Sequence, residues 1–319
     1  MVLKYLYSKI SRENTPKYLN YVFFLFGVII SLRYCYRLFL MIYRKFLRRP
    51  TIIRDSYPEA EVWAVITEVD DDIGREYSLQ LAEQGFNILM FSKDLNKANE
   101  VSDLVQKQHP KSETKVFEVD WKGDLDEILV WVKDELDPLN VRVLVNNATI
   151  RPDKPSMFHE TPIEEDLDMI NVNVNVVVRM TRLVLPYMLE KAGGYVINMS
   201  SFVMWKDLPY VSVYNSTKRF LANWSLCMNF EYRMRNVRTS YVLAFFSDFK
   251  FPYFLKLKWL MPTPQKYVKQ TLAQLGTSYR IIPHWSHWFL HKFISQDLGI
   301  FNFLHKMWFK RTYGNKKNK

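Results

Sequence analysis

The pattern of apolar and polar positions changes at Val62, where short apolar runs begin to alternate with longer amphipathic stretches. The apolar runs have the length of strands and fall at 62–67, 87–92, 115–119, 141–145, 195–200 and 238–246. The amphipathic stretches fall near 73–84, 95–108, 123–135, 162–190 and 214–234. Alternating strands and helices favour right-handed crossovers between parallel strands. The pattern therefore predicts an α/β fold built on a doubly wound parallel sheet.

A different kind of apolar segment precedes this pattern. Residues 18–32, YLNYVFFLFGVIISL, carry no charge, and a second apolar piece follows at 38–43. We interpret this region as an N-terminal membrane anchor helix that spans or re-enters the bilayer, with a helix lying in the membrane interface as the alternative. A cleaved signal peptide is disfavoured because no small-residue cleavage site follows.

Four regions follow from this division of the chain. They are an anchor with its basic flank at 1–49, a linker at 50–61, a folded domain at 62–303 and a basic tail at 304–319.

The net charge of +11 is concentrated at the two ends of the chain. Residues 1–50 hold ten Lys/Arg and one acid, and residues 304–319 hold six Lys/Arg and no acid. Basic charge beside an apolar segment favours contact with a membrane over a nucleic-acid footprint on the domain. The only two cysteines, Cys35 and Cys227, exclude a disulfide framework and a cysteine-rich zinc site. We expect Cys227 to be a small buried apolar residue.

One stretch of the central domain carries candidate chemistry. Tyr214 and Lys218 are four residues apart, so a helix places them on one face, one turn apart. An ammonium group near a phenol favours the phenolate, whose ordinary pKa is about 10. On spacing alone, an exposed helix face explains this pair as well. Ser201, at the end of an apolar run, adds a hydroxyl that can hold a substrate oxygen for proton exchange, and the combination is far more specific.

These residues make the sequence resemble the short-chain dehydrogenases/reductases. Within them it is similar to the membrane-anchored 17-beta-hydroxysteroid dehydrogenase and very-long-chain 3-oxoacyl-CoA reductase group. Further matching motifs are NNA at 146–148, NVNVNVVVRMTRLVLPYM at 171–188 and WLMPTPQKYV at 259–268. The resemblance implies a Rossmann-type fold that reduces a carbonyl with NADPH on a lipid-like substrate, a steroid or a 3-oxoacyl chain. It also implies a homodimer paired through the helices near 162–190 and 214–234.

The same resemblance implies a catalytic set of Asn173, Ser201, Tyr214 and Lys218. Tyr214 would donate a proton to the carbonyl oxygen as hydride reaches the carbon, and Ser201 would orient that oxygen. Lys218 would lower the pKa of the tyrosine and bind the nicotinamide ribose. Asn173 would support a water that leads to Lys218.

The cofactor positions implied by the resemblance are Thr67, Ile73, Gly74, Lys93, Asp120, Asn147, Ala148, Tyr214 and Lys218. Lys93 would meet the 2′-phosphate, which favours NADP over NAD, and Asp120 would contact the adenine. The family's glycine-rich turn, T-G-x-x-x-G-x-G, is TEVDDDIG at 67–74, with Glu68 and Asp72 in place of two glycines. Carboxylates there oppose a diphosphate, so we expect weak NADP(H) affinity. Helix capping is the alternative explanation of the acidic run.

Three further features complete the sequence analysis. His284, His287 and His291 have helical spacing, but aromatic residues lie between them and no carboxylate is near, so we predict no metal site. The aromatic and basic segment 245–261 is expected to form either a mouth for an apolar ligand or a packed lid. The terminal KKNK resembles a dilysine retrieval signal, which places the protein in the endoplasmic reticulum membrane with its domain facing the cytosol.

Two hypotheses about function follow. The first is a membrane-anchored NADPH-dependent oxidoreductase that reduces a ketone, or oxidises the alcohol, on a lipid. The second is a catalytically weak or inactive relative that acts as a lipid-binding or interaction protein in the same membrane.

Overall fold

The computed structural model describes residues 17–43, 53–57, 61–191, 193–205, 207–244, 262–288 and residue 307. The chain divides into two compact units, residues 1–49 and residues 50–319. The predicted substrate segment at 245–261, His291 and the terminal KKNK lie outside the described residues.

The smaller unit contains helix α1 (Lys17–Ile42). This confirms an N-terminal helix over 18–32 and carries it through most of the second apolar piece. Its apolar side chains are exposed, those of Phe23 and Phe24 by 67% and 69%. Among the described residues, no helix combines the length and the hydropathy that are needed to cross a membrane.

The predicted alternation of strands and helices is confirmed in the larger unit. The strands are β1 (Trp63–Ile66), β2 (Asn87–Ser92), β3 (Thr114–Glu118), β4 (Val141–Asn146), β5 (Gly194–Ser201), β6 (Val237–Ala244) and β7 (Arg280–Ile281). The helices are α2 (Asp72–Glu83), α3 (Leu95–Gln108), α4 (Leu125–Leu136), α5 (Ile163–Ile170), α6 (Val177–Glu190), α7 (Ser212–Tyr232) and α8 (Pro264–Leu272). A π-helical segment, Asn171–Val176, joins α5 to α6, so the stretch predicted at 162–190 is continuous but not uniformly α-helical.

The strands form one parallel sheet in the order β3-β2-β1-β4-β5-β6-β7. The chain runs outward from β1 to β3 and then returns to β4 on the other side of β1, which creates a topological switch point. Ligands of open parallel sheets bind outside the carboxyl ends of the strands at such a point. Thr67, Asn147 and Ser201 all lie at this edge, after or at the ends of β1, β4 and β5.

The core consists of one apolar layer on each face of the sheet. Alternate residues of a strand point to opposite faces, so Ala64 and Ile66 of β1 pack with α2, α3 and α8. Trp63 and Val65 pack on the other face with α4 and α6. Ile53 and Tyr57, from the predicted linker, are also buried in the first layer.

The prediction that Cys227 is buried is wrong. Helix α7 turns Leu221 and Ser225 toward the interior, both at 1% exposure or less. Cys227 lies two residues beyond Ser225, about 200° around the helix axis, and is exposed.

Gly74 marks the point where α2 crosses closest to the turn that precedes it. A Cβ at this position would lie 2.1 Å from the carbonyl oxygen of Glu68 and 2.8 Å from the Cα of Val69. Both are backbone atoms, so they cannot yield as the end of a side chain can. The contact fixes the helix against the turn between β1 and α2.

We expect Gly74→Ala to reduce the free energy of unfolding by about 1–3 kcal/mol, because the added methyl group forces backbone apart. The measurement is urea unfolding followed by circular dichroism. Gly123→Ala is the matched control, since its Cβ would meet Asp120 O at 3.2 Å and only the flexible end of Ile128 at 3.4 Å. Equal stability of the two variants would contradict the tight contact at Gly74.

Candidate active site

Ser201 and Tyr214 meet at the carboxyl edge of the sheet. Ser201 is the last residue of β5, and Tyr214 lies in the first turn of α7. Their exposed fractions are 1% and 4%. Burial raises the pKa of Tyr214 to about 12, and a hydrogen bond between its side chain and that of Ser201 partly offsets this effect. The pair therefore presents a protonated phenol with a second hydroxyl beside it.

Lys218 lies one turn further along α7, on the same face as Tyr214. Its Nζ donates to Thr149 Oγ1 at 2.9 Å and to the carbonyl oxygen of Met199 at 3.0 Å. The Nζ lies 5.7 Å from the centre of the Tyr214 ring. Burial lowers the pKa of Lys218 to about 7, although the nearby Glu68 charge acts in the opposite direction. The groups that lower the pKa of Tyr214 against the effect of burial are the Ser201 side chain and the charge of Arg151.

Asn173 is fully buried in the π-helical segment and uses its whole side chain on neighbouring residues. Its Oδ1 accepts from Ile150 N at 2.8 Å, and its Nδ2 donates to Ile150 O at 2.8 Å and to Thr217 Oγ1 at 3.2 Å. These bonds hold the loop after β4 against α7. The water that was predicted to connect Asn173 to Lys218 stays a prediction.

Thr67 connects the ends of β1 and β4 on the floor of the site. Its Oγ1 accepts from the backbone N–H groups of Asn147 and Ala148, each at 3.0 Å. Trp121 adds a third connection, because its indole Nε1 donates to Thr67 O at 2.7 Å. Sequence reasoning missed Trp121, and the aromatic residue next to the expected Asp120 was the only available signal.

Two of the acidic residues after β1 are hydrogen-bonded to neighbouring protein groups. Asp71 caps α2, since its Oδ1 accepts from Gly74 N at 2.7 Å, and it also accepts from Asn147 Nδ2 at 3.0 Å. Asp70 accepts from the hydroxyl of Ser92 and from the N–H of Asp94. Helix capping is therefore the correct explanation for Asp71. The expected opposition between these carboxylates and a bound diphosphate stays a prediction.

Glu68 is the member of the acidic run that turns into the site. Its Oε2 accepts from Thr149 N at 3.2 Å, and Thr149 in turn accepts from Lys218 through its hydroxyl. Burial, and then the charge of Asp71, raises the pKa of Glu68 to about 7. We call these three residues the Glu68–Thr149–Lys218 cluster. It places an acid and a base with pKa values near 7 on either side of one threonine.

The backbone of the turn does not need glycine at position 68 or 72. Among the described residues, the non-glycine positions with positive φ are Tyr210 and Asn236. Glu68 and Asp72 therefore lie in conformations open to any residue, so their influence on the site comes from the side chains.

Lys93 and Asp120, predicted to contact different parts of the cofactor, contact each other. Their side chains form an ion pair of 2.7 Å and are 65% and 48% exposed. The hydrogen bond to Asp120 raises the pKa of Lys93. A phosphate group that reaches Lys93 would share its ammonium with this carboxylate. Ile73 lies half-buried at the start of α2, beside the turn.

A small depression of about 20 Å³ opens beside Tyr214. Apolar side chains including Phe158, Met169 and Val211 share its lining with hydroxyl groups and with the buried carboxyl of Asp166. Burial raises the pKa of Asp166, which favours its neutral form. Sequence reasoning missed Asp166, because nothing in its spacing distinguishes it from the other acids in the first turn of α5.

No metal centre accompanies these groups in the part of the chain that the structure describes. No cluster of three His, Cys, Asp or Glu side chains there is placed to hold a metal ion. His284 and His287 are buried, at 3% and 1% exposure.

The chain is similar in sequence to the short chain dehydrogenases. The family model of the short chain dehydrogenases matches residues 62–246. A very-long-chain 3-oxoacyl-CoA reductase of Phaeosphaeria nodorum is 31% identical over 252 residues, covering 76% of this chain and 74% of the relative. The enzyme of the same name from Coccidioides immitis is 30% identical and covers 74% of this chain and 70% of its own length.

A solved structure of a 7beta-hydroxysteroid dehydrogenase is similar in fold. Its TM-score is 0.65 at 20% identity, covering 76% of this chain and 94% of the other. A metagenomic short-chain oxidoreductase in complex with NADP gives a TM-score of 0.59 at 21% identity, over 70% of this chain and 96% of the other. The family model covers more than half of the chain, and the matched region contains strands β1 to β6 and the buried residues Ser201, Tyr214 and Lys218. The chain belongs to the short-chain dehydrogenase family.

Proposed function

We propose that the protein reduces a ketone on a 3-oxoacyl or steroid-like lipid with NADPH, or runs the same reaction toward oxidation. The observation that carries the proposal is the buried, hydrogen-bonded pair of Ser201 and Tyr214 at the carboxyl edge of the sheet. Relatives of about 30% identity that are named very-long-chain 3-oxoacyl-CoA reductases support an acyl chain with a 3-oxo group as the substrate.

Proton delivery follows from the site geometry. A bound nicotinamide cofactor would supply the hydride. Tyr214 is protonated at neutral pH because burial raises its pKa to about 12, so it can donate to a carbonyl oxygen that becomes an alkoxide. Ser201 holds that oxygen at the same point. The low exposure of both groups excludes water and strengthens each hydrogen bond to the developing charge.

The residues fit NADP(H) at both ends of the cofactor. Lys218 lies beside Tyr214, where a ribose hydroxyl would meet it, and Lys93 is exposed at the end of β2, where a 2′-phosphate would meet it. Lys93 supports NADP(H) over NAD(H), because its ammonium, which is paired with Asp120, would also attract a 2′-phosphate. Between the two ends lies Glu68, which adds a carboxylate to the turn that would approach the diphosphate.

Membrane attachment through α1 is part of the proposal. Its exposed apolar side chains and the ten Lys/Arg of residues 1–50 suit a helix held in the membrane interface. The terminal KKNK supports the endoplasmic reticulum as the location, with residues 62–303 in the cytosol.

A homodimer is also proposed. Apolar side chains remain exposed on α5, where Ile163 and Leu167 are both 56% accessible, and on α7, where Phe220 is 40% accessible. A second copy would cover these faces.

A second candidate function is favoured by one specific observation, the presence of Glu68 inside the turn. A dinucleotide would bind weakly beside this carboxylate, and the protein would then act as a lipid-binding or interaction protein. NADPH affinity of the native chain distinguishes the two functions directly.

Tyr214→Phe should lower kcat for ketone reduction by about 10²–10⁴-fold, because it removes the transferable proton while it keeps the ring in the core. The measurement is NADPH oxidation with a 3-oxoacyl-CoA of long chain. Tyr187→Phe is the control, since the Tyr187 hydroxyl bonds Asp137 on the surface and lies outside the site. Full activity of Tyr214→Phe would remove Tyr214 from the mechanism.

Deletion of residues 1–49 should release the protein from the membrane fraction of a cell extract, because it removes α1 and most of the basic flank. Lys316→Ala with Lys317→Ala should leave membrane binding intact and change only the compartment. Protection of the domain from protease in sealed microsomes would contradict the proposed cytosolic orientation.

A further inference from the structure

The Glu68–Thr149–Lys218 cluster occupies the switch point of the sheet, between the first turn and the start of α7. Lys218 spends two of its three N–H donors on Thr149 and Met199, at 2.9 and 3.0 Å. Thr149 N donates to Glu68 at 3.2 Å, so one residue joins the acid to the base. Residues of the chain itself therefore accept these two hydrogen bonds from Lys218.

Glu68 is held in this position by its surroundings. Its carbonyl oxygen accepts from Asn147 Nδ2 at 2.9 Å, and the close approach of Gly74 fixes the backbone beneath it. The backbone position of Glu68 is therefore fixed, and its side chain reaches Thr149 in the loop after β4. A dinucleotide that crosses the turn passes this carboxyl group.

We propose that Glu68 determines when the cleft accepts an anionic dinucleotide: it admits NADPH when the Glu68 carboxyl carries a proton and rejects it when the carboxyl is ionised. This inference rests on the proposed function, because it assumes that NADPH is the ligand. Binding is then coupled to the uptake of one proton from solvent by the Glu68 carboxylate, and release of NADPH returns that proton.

The charges around Glu68 set the pH range of this coupling. Asp70 and Asp71 on its own turn favour the protonated form, and Lys218 on α7 favours the ionised form. Lys93, after β2, adds a weaker positive charge. Burial has the largest effect and raises the pKa of Glu68 to about 7. A bound diphosphate adds negative charge and raises this pKa further, so affinity should decrease as pH rises above 7.

The test measures NADPH affinity of the full-length protein in detergent from pH 6 to 8.5, by quenching of tryptophan fluorescence. Glu68→Gln keeps the size of the side chain and removes its charge. The Kd of the wild type should be similar to that of Glu68→Gln at pH 6, and weaker by about tenfold or more at pH 8.5. The ratio of the two values cancels the titration of the 2′-phosphate, which both proteins meet equally.

Asp72→Asn is the matched control, because Asp72 lies in the same acidic run but is exposed at the start of α2. It should retain the pH dependence of the wild type. Calorimetry at pH 7.5 in buffers of different ionisation enthalpy gives a second measurement. The heats should report more net proton uptake by the wild type than by Glu68→Gln, in which Lys218 still titrates. Ligand-free unfolding gives another signature. The folded state holds the Glu68 proton more tightly than the unfolded state between pH 4.5 and 7. Wild-type stability should therefore decrease relative to Glu68→Gln over that range as pH rises.

A Kd ratio that is the same at every pH, with NADPH bound by both proteins, would overturn the inference and leave the proposed function intact. Binding by Glu68→Gln alone at every pH would also overturn it, because protonation would then not be the gate. If neither protein binds NADPH at any pH, the proposed function fails together with the inference.

Discussion

Removal of ionisable groups from water is the constraint on which this site depends. Glu68, Tyr214 and Lys218 lie at one edge of the sheet, and burial is the largest influence on the pKa of each. It shifts all three toward their neutral forms: the pKa values of Glu68 and Tyr214 rise to about 7 and about 12, and the pKa of Lys218 falls to about 7. Hydrogen bonds with Thr149 and Ser201 partly offset this effect by lowering the pKa values of Glu68 and Tyr214. The sheet brings these groups together because β1, β4 and β5 end side by side.

This constraint explains how an active site and an acidic turn can coexist. If every carboxylate of the turn were ionised and faced the cleft, their negative charge would repel an anionic dinucleotide. The structure instead uses Asp71 to cap α2 and Asp70 to bind Ser92, which leaves Glu68 as the carboxylate that faces Lys218 through Thr149. Under the proposed function, acceptance of NADPH depends on the protonation of this one side chain. The catalytic pair is assembled in either case.

The fold and the catalytic pair could be predicted from the sequence because each depends on local patterns. Short apolar runs alternate with amphipathic stretches of helical periodicity. The four-residue spacing of Tyr214 and Lys218 places both on one face of a helix. The partners of individual charged side chains could not be predicted, since they depend on rotamers and on loops that meet only in the folded state. Lys93 pairs with Asp120, which follows the neighbouring strand. Cys227 faces outward because α7 turns its opposite side toward the sheet. Thr149 directly follows the NNA motif in the sequence, but its link between Glu68 and Lys218 forms only in the folded chain.

The close packing at Gly74 has a consequence for how such a chain can change over generations. Because the backbone beneath position 68 is pinned by α2 and adopts a conformation open to any residue, the side chain there can be exchanged without rebuilding the turn. The charge of the cleft can therefore be altered by a single substitution, independently of the machinery on α7. Such a substitution leaves the scaffold and the depression beside Tyr214 unchanged.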